Sequence, residues 1–501
     1  MADEVELKLS LPNSAQRALL RHPLLKQAAS RHTTRLINIY YDTPDLALRT
    51  RGMALRLRRQ GKDWLQTVKC AGSSAGGLTT RPEWEESYGG HFDFARVDDK
   101  KVRDWLSKHK RQDRLSPLFE TNFIRTTWRF EPARGSVVLL MFDRGWVAAA
   151  GRREEISELE IELHAGSVEQ IFHLAAELAQ RLPLAPALLS KAERGYRLFR
   201  GDRPAPHKAA TVALRGDMVP TDAFRVIALS CLEHLQHNHA GAVSSDDPEY
   251  IHQMRVATRR LRAALRVFRP LLAPQIEAQL LPPLHELMAV LGAARDRDVL
   301  LAEIAEPVMQ ALPGEPRLAA LVGLITEERY RVRAEAIGVL RAPTFGRLML
   351  LAAEILHRPL RTAIIAGPDS LMIFAKHRLH RQEVRVRQLA EAARANDPAS
   401  LHALRIGIKR FRYALEFFSP LLQHKKFSLL LESLAALQDT LGQLNDLANA
   451  GRLLMNCAGG DPRLREAVTL IGGWHGQRHA QLLAGIVRSI RRIRRTMVRL
   501  R

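Results

Sequence analysis

Up to about residue 165 the apolar positions recur with a period of two. Val5-Glu6-Leu7-Lys8-Leu9, Ala54-Leu55-Arg56-Leu57-Arg58 and Leu159-Glu160-Ile161-Glu162-Leu163 all alternate, which is the pattern of strands with unlike faces. Residues 12–30 and 95–110 read as helices between strands, and 167–182 and 188–199 as helices that close this part. Gly72-Ser73-Ser74-Ala75-Gly76-Gly77 reads as a flexible loop without the spacing of a phosphate-binding glycine loop. Residues 201–219 read as a linker. Beyond them the period is helical almost to the end, with breaks expected near Pro270, Pro282-Pro283, Pro307, Pro359 and Pro398.

The helical half contains a repeat. His252-Gln-Met-Arg255-Val-Ala-Thr-Arg259-Arg260-Leu-Arg262 resembles His402-Ala-Leu-Arg405-Ile-Gly-Ile-Lys409-Arg410-Phe-Arg412, and the two histidines stand 150 residues apart. The same offset carries Leu291-Gly292 onto Leu441-Gly442 and Asp296 onto Asp446. Two matched segments at one offset imply a duplicated helical unit. The expected domains are 1–200, a linker 201–219, a helical domain 220–485 in two repeats (about 220–368 and 369–485), and a basic tail 486–501.

Lys+Arg 76 against Asp+Glu 53 gives a formal net charge of +23, which argues for a polyanionic partner. The 501 residues exceed one ordinary domain, and a hydrophobic share of 46% is enough for cores. Cys70, Cys231 and Cys457 are too scattered for a disulfide framework or a metal cluster and fit a reducing compartment. Met1-Ala2-Asp3-Glu4 does not open a signal peptide, and no apolar run spans a membrane, so a cytoplasmic protein is expected. The charge is also patterned. Glu4, Glu6 and Lys8 share one strand face, as do Arg56 and Arg58; Arg81, Glu83 and Glu85; Arg125 and Arg129; and Glu158, Glu160 and Glu162. Asp143 ends an apolar strand. Strands turned charge-side inward would enclose a lumen of both signs, and acidic residues at i, i+2, i+4 repel unless a cation lies between them. Such a lumen suits metal-assisted phosphoryl transfer.

These residues resemble the triphosphate tunnel metalloenzymes, or CYTH domains, over roughly residues 1–200. The resemblance is carried by Glu4-Val-Glu6-Leu-Lys8, Tyr40-Tyr41-Asp42-Thr43, Ala54-Leu55-Arg56-Leu57-Arg58, Thr67-Val68-Lys69, Arg81-Pro82-Glu83-Trp84-Glu85, Phe142-Asp143-Arg144-Gly145, Glu158-Leu159-Glu160-Ile161-Glu162 and Ser190-Lys191-Ala192-Glu193-Arg194-Gly195-Tyr196, in the family's order. Pro82 suggests an edge or a strand start. The resemblance implies an α+β domain with an antiparallel β-barrel that hydrolyses tripolyphosphate. It implies Mg²⁺ or Mn²⁺ held by Glu4, Glu6, Asp143, Glu158, Glu160 and Glu162. Lys8, Arg56, Arg58, Lys69, Arg125 and Lys191 would grip the triphosphate, with Arg81, Arg129 and Arg194 beside them. Glu4, Glu6, Lys8, Lys69 and Lys191 would be the catalytic set. For Glu83 and Glu85 an ion pair with lumen arginines stands beside a catalytic role.

The helical half resembles the conserved-histidine α-helical domain, CHAD, over residues 220–480. His252, Arg255, Arg259 and Arg262 form one helical stripe, and His402, Arg405, Lys409 and Arg412 another. The resemblance implies an all-α bundle that binds long polyphosphate on these stripes and does no chemistry. Asp296, Asp298 and Asp446 read as caps or arginine partners, and His234, His237 and His239 as surface or groove residues. Two alternatives remain: a polyphosphate-binding or targeting protein with incidental barrel activity, and a barrel enzyme acting on thiamine triphosphate or nucleoside triphosphates. No zinc finger or helix-turn-helix supports sequence-specific nucleic-acid binding.

Overall fold

The computed structural model describes residues 4–358, 371–422 and 425–498. The expected repeat boundary at 368, the break at Pro359, Met1-Ala2-Asp3 and the last three residues of the tail lie outside them. The chain forms two compact units, one of Met1–Ala205 with Arg341–Arg358, the other of Pro206–Leu340 with Pro359–Arg501.

In the first unit the alternating segments become β1 (Glu4–Ser10), β2 (Ser30–Asp42), β3 (Met53–Gln60), β4 (Asp63–Cys70), β5 (Ser73–Ala75), β6 (Leu78–Arg81), β7 (Glu83–Ser87), β8 (Ser116–Phe130), β9 (Val137–Ala149), β10 (Arg152–Ala165) and β11 (Ala185–Pro186). They form one sheet in the order β5-β6-β1-β10-β9-β8-β2-β3-β4-β7, with β11 also on β1. The two ends of this path meet in the chain itself. β6 pairs with β1, and one residue later β7 pairs with β4. The residue between is Pro82, which has no N–H to give to either ladder; its carbonyl accepts from the Cys70 N–H at 3.2 Å. The partner change at Pro82 brings the antiparallel sheet round into a near-closed barrel.

Outside, apolar residues of β3 and β4 (Met53, Leu55, Val68) pack with Phe94, Val97 and Leu106 of the following segment. The Val168–Ala179 helix, opened by a capping box between Ser167 and Gln170, covers β1 and β10. Inside, one end is filled by apolar side chains: Leu36, Tyr40, Phe119, Phe123, Val147 and Ile156 pack with Tyr196 of the Lys191–Arg200 helix. Gly195 lets that helix sit on the Phe119 ring, because a Cβ there would lie 2.1 Å from it.

Local details differ from the sequence reading. The expected helix at 12–30 is two 3-10 turns (Asn13–Ala15, Pro23–Gln27) around the short helix Gln16–Leu20. The expected helix at 95–110 is reduced to Lys100–Leu106, capped by Asp99, and His109–Gln112. The expected flexible loop at 72–77 is a tight hairpin, made possible by Gly76 and Gly77 at φ +64° and +90°.

The second unit is helical. Its repeat is visible in the helix boundaries. Pro248–Phe268 and Pro398–Phe418 each follow an aspartate cap, Asp247 or Asp397, and each runs into a 3-10 turn. Pro282 and Pro283 do not break their helix, which runs Pro274–Val299. The carbonyls that lose partners belong to Ala278 and Gln279, both exposed, so water can take them. Pro307 falls just after a π-helical turn, Leu300–Ala305. The expected linker is docked in part: His207 exchanges backbone hydrogen bonds with the Asn238 side chain, and Val212 and Leu214 are buried. His234 is buried and bonded to the His207 carbonyl and Gln253, both at 3.0 Å, and His239 bonds the Leu340 carbonyl. These two histidines are structural rather than surface or groove residues. The basic tail continues the Pro462–Val498 helix, with Ile486, Ile490 and Ile493 buried beneath it.

Gly195→Ala should lower the thermal midpoint of the intact chain by an amount corresponding to about 1–3 kcal/mol of overpacking. Gly216→Ala, where a Cβ meets nothing within 4 Å, should leave it unchanged.

Candidate functional site

Residues opposite one another in an antiparallel ladder share a face. Across β1 and β10, Glu6 stands opposite Glu162, Lys8 opposite Glu160 and Ser10 opposite Glu158. Glu158 is opposite Asp143, and Asp143 is opposite Arg125. On the other wall Lys69 is opposite Glu83 and Thr67 opposite Glu85, while Glu4 is opposite Arg81. The charged faces therefore line one interior.

Asp143, Glu158 and Glu160 are buried, with a carboxylate oxygen from each within 4.8 Å of the others. Lys191, the first residue of its helix, reaches all three: its Nζ lies 2.7 Å from Asp143 and 2.9 Å from Glu160, and it also contacts Glu158. Arg125 donates to both oxygens of Asp143, at 2.7 and 2.6 Å, and to Glu160. Along the wall Glu4 receives Lys69 at 2.8 Å and Arg81 at 2.9 Å, and Glu6 receives Arg81 and Lys8, both at 2.7 Å. Glu83 pairs with Lys69 at 2.6 Å and Arg56 at 3.3 Å, and Glu85 with Arg58 at 3.4 Å. Arg194 reaches Glu154 at 2.7 Å and Glu158 at 3.3 Å. Arg129 stands apart: it is largely exposed and pairs with Glu131.

Some lining residues carried no charge signal. Asn38 donates to Thr121 at 2.9 Å and accepts from Arg58 at 3.1 Å, and Tyr40 is the register partner of Arg56. Their polar positions between Ile37, Ile39 and Tyr41 were the available clue.

Burial opposes ionisation of Glu160, but Lys191 and then Arg125 outweigh it and hold its carboxyl well below the usual range. Burial is likewise overcome at Glu83, held at about 2 by Lys69 and Arg56. Glu162 goes the other way, pushed up to about 7 by burial and then by Glu4, Glu6 and Glu160. Arg58 is lowered to about 10 by burial and by Arg56. An all-oxygen trio suits a hard divalent cation, and the cations beside it suit phosphate oxygens.

In the second unit both stripes lie on helices packed against one another, Pro248–Phe268 and Pro398–Phe418. His252 Nδ1 and the Nε atoms of Arg255, Arg259, Arg262 and Arg405 are buried without a hydrogen-bond partner. Arg255 has one anionic contact, Asp296 at 3.2 Å, while Arg412 pairs with Glu416 at 2.9 Å. Asp298 serves Arg329 at 2.7 Å. Burial, then Arg405, Arg259 and Arg255, push the Lys409 ammonium down to about 7 against the pull of Asp446. The two stripes thus bring their cations close enough to act on one another. Among the described residues no single helix is long and apolar enough to cross a membrane.

The CYTH domain model matches residues 2–196, and the CHAD domain model matches residues 226–455. The inorganic triphosphatase of Haemophilus influenzae is 30% identical over 200 residues, which are 40% of this chain and 55% of that protein. An uncharacterised protein of Mycobacterium tuberculosis is 31% identical over 186 residues, 34% of each chain. The chain therefore spans about half the length of the first of these relatives and a third of the second. The crystal structure of the CHAD domain from the plant Ricinus communis is 34% identical, covering 57% of this chain and 96% of that one with a TM-score of 0.50. The chain belongs to the proteins that carry a CYTH domain followed by a CHAD domain.

Proposed function

We propose that the barrel is a divalent-metal-dependent triphosphatase that splits tripolyphosphate with water into pyrophosphate and phosphate, and that the helical groove holds longer polyphosphate. One observation carries the first reading: Asp143, Glu158 and Glu160 converge within 4.8 Å in a buried interior, with Lys191 on all three carboxylates and Arg125 on Asp143 and Glu160. Replacing a buried ion network with apolar side chains is often neutral or stabilising, so fold stability alone does not account for this one. The donor chemistry fits Mg²⁺ or Mn²⁺. Asp143, Glu158 and Glu160 would hold the ion, with Glu4, Glu6 and Glu162 completing the acidic wall. When bound, it would polarise a phosphoryl group and neutralise charge there.

The chain's own cations would do the rest. Lys8, Arg56, Arg58, Lys69, Arg81, Arg125 and Lys191 each hold a carboxylate or lie beside one, and a triphosphate would replace carboxylate oxygens with phosphate oxygens. A row of fixed guanidinium and ammonium groups orients the anion, and the apolar plug around Tyr196 keeps water from that end. The relative from Haemophilus influenzae supports this reading, as does the CYTH match. The second reading rests on the unpartnered nitrogens of the groove stripes.

Phosphate release should be fastest with tripolyphosphate, among pyrophosphate, long polyphosphate, ATP and thiamine triphosphate, and should vanish in EDTA. Glu160→Gln should lower turnover about a hundredfold. A preference for ATP or thiamine triphosphate, or turnover in EDTA, would refute the assignment.

Polyphosphate binding should weaken steeply with salt. Reversing charge at Arg255 and Arg405 should reduce affinity more than reversing Arg488 and Arg491, two exposed arginines near the C-terminal end. Equal losses would mean that only net charge matters.

Lys409 adds a proton signature. It is lowered from 10.5 to about 7 by burial and by cations, and a bound polyanion would restore its charge. Binding should therefore take up a proton between about pH 7 and 10.5. Below that window the ammonium is already charged, and above it the amine stays neutral in both states. Calorimetry in buffers of different ionisation enthalpy should show uptake that Lys409→Met abolishes.

A further inference from the structure

The stretch matched by the CHAD model contains a helix that packs within the first unit. The Pro343–His357 helix belongs to the unit formed by Met1–Ala205 and Arg341–Arg358. Its apolar face is broad: Phe345, Leu348, Met349, Leu350, Ile355 and Leu356 are all buried. The buried face is wide, while Thr344, Arg347 and Glu354 keep to the opposite side, so the helix can pack on more than one neighbour at once. It packs against the Val168–Ala179 helix and against β11, with the Phe172 and His357 rings stacked at 5.8 Å. Just before β11 the approach is backbone to backbone. A Cβ on Gly346 would stand 1.6 Å from the Leu184 carbonyl oxygen, so only glycine allows this contact.

The segment it touches is short and leads to the site. Leu184 runs into β11, whose Ala185 and Pro186 pair with Ser10 and Leu9. Ala187 N–H then donates to the Lys8 carbonyl at 2.8 Å. After Ala187-Leu-Leu-Ser190 the next helix begins, and its first residue is Lys191, whose ammonium touches Asp143, Glu158 and Glu160. A two-residue strand and a few irregular residues have little stability of their own. β1 holds this segment on one side, and the Pro343–His357 helix packs on it as well.

We propose that the Pro343–His357 helix is a positioning element of the barrel site: it clamps Leu184–Pro186 and through that segment sets where Lys191 stands. The barrel site then depends on residues that lie outside the CYTH match. Only the catalytic consequence rests on the triphosphatase reading.

The test uses the intact chain. Gly346→Ala and Gly338→Ala add the same methyl to a helix with the same gain in helical propensity, but around Gly338 nothing lies within 4 Å. Amide hydrogen exchange over residues 182–191 should quicken about tenfold or more in Gly346→Ala and stay at the parent rate in Gly338→Ala. The KM for tripolyphosphate should rise more than kcat falls, because Lys191 acts in binding. His357→Ala removes the ring stacked on Phe172 without a clash. It should give the same pattern at smaller amplitude, so a folding failure of Gly346→Ala leaves a readable variant. Unchanged exchange over 182–191 in both variants overturns the clamp, and faster exchange with an unchanged KM overturns the positioning role. Faster exchange in a chain whose parent does not turn over tripolyphosphate keeps the clamp and removes the triphosphatase reading.

Discussion

Ionised groups can stay inside the barrel only beside groups of opposite sign. The penalty for removing an ion from water is several kcal/mol even after relaxation, and the interior holds more than a dozen such groups by the ion pairs traced above. Much of the first unit answers this constraint. The long strands β8, β9 and β10 set Arg125, Asp143 and Glu158 side by side at one level. The Lys191–Arg200 helix delivers a cation where the carboxylates are densest and closes the end with Tyr196. Pro82 lets one extended segment serve two ladders, bringing Arg81 to Glu4 and Glu83 to Lys69. Each feature has its own local cause, and all of them bring charge to charge.

Much of this was legible in the sequence, because alternation assigns each residue to a face whatever the strand's neighbours. Alternation does not say how far a strand runs beyond the interior. Arg125 and Arg129 share a face of β8, yet one is locked to Asp143 and the other pairs with Glu131 near the open rim. Nor does it give register. The opposition of Glu6 to Glu162, which adds to burial and to Glu4 in raising the Glu162 carboxyl, joins strands far apart in the sequence of the unit. The helical half shows the same limit. Ile486, Ile490 and Ile493 are spaced for a buried stripe, which the label of a basic tail does not convey. The docking of the Pro343–His357 helix left one trace in the sequence, an apolar face broader than a single partner needs.

The duplication behaves differently from the barrel. Asp247 and Asp397 start matching helices, so the repeat is fixed by a local signal that survives without long-range information. Two copies of one stripe then lie on packed helices, where burial and then Arg405, Arg259 and Arg255 push the Lys409 ammonium down to about 7. Asp296 and Asp446 relieve this only in part.

The barrel and the groove thus present cations to an anion in opposite states. Inside the barrel nearly every cation already has a carboxylate partner, so on the proposed reading a phosphate chain would gain by exchange: its oxygens would take over contacts that Glu4, Glu6, Glu83 or Glu160 hold, and the released carboxylates would become available to a metal ion. Metal and phosphate would then favour each other's entry, because each would neutralise what the other frees. Along the helical stripes several guanidinium nitrogens lack a hydrogen-bond partner and the cations press on one another, with Asp296 and Glu416 pairing only Arg255 and Arg412. An anion there gains by relief, with no second ligand needed and a proton taken up by Lys409. Exchange suits a site that must assemble a metal and a short phosphate chain together; relief suits a surface that holds a long chain at many weak points. That difference follows from the sign of the residues facing each cation, and under the proposed function it would give the two halves of one basic protein distinct chemistry toward the same kind of anion.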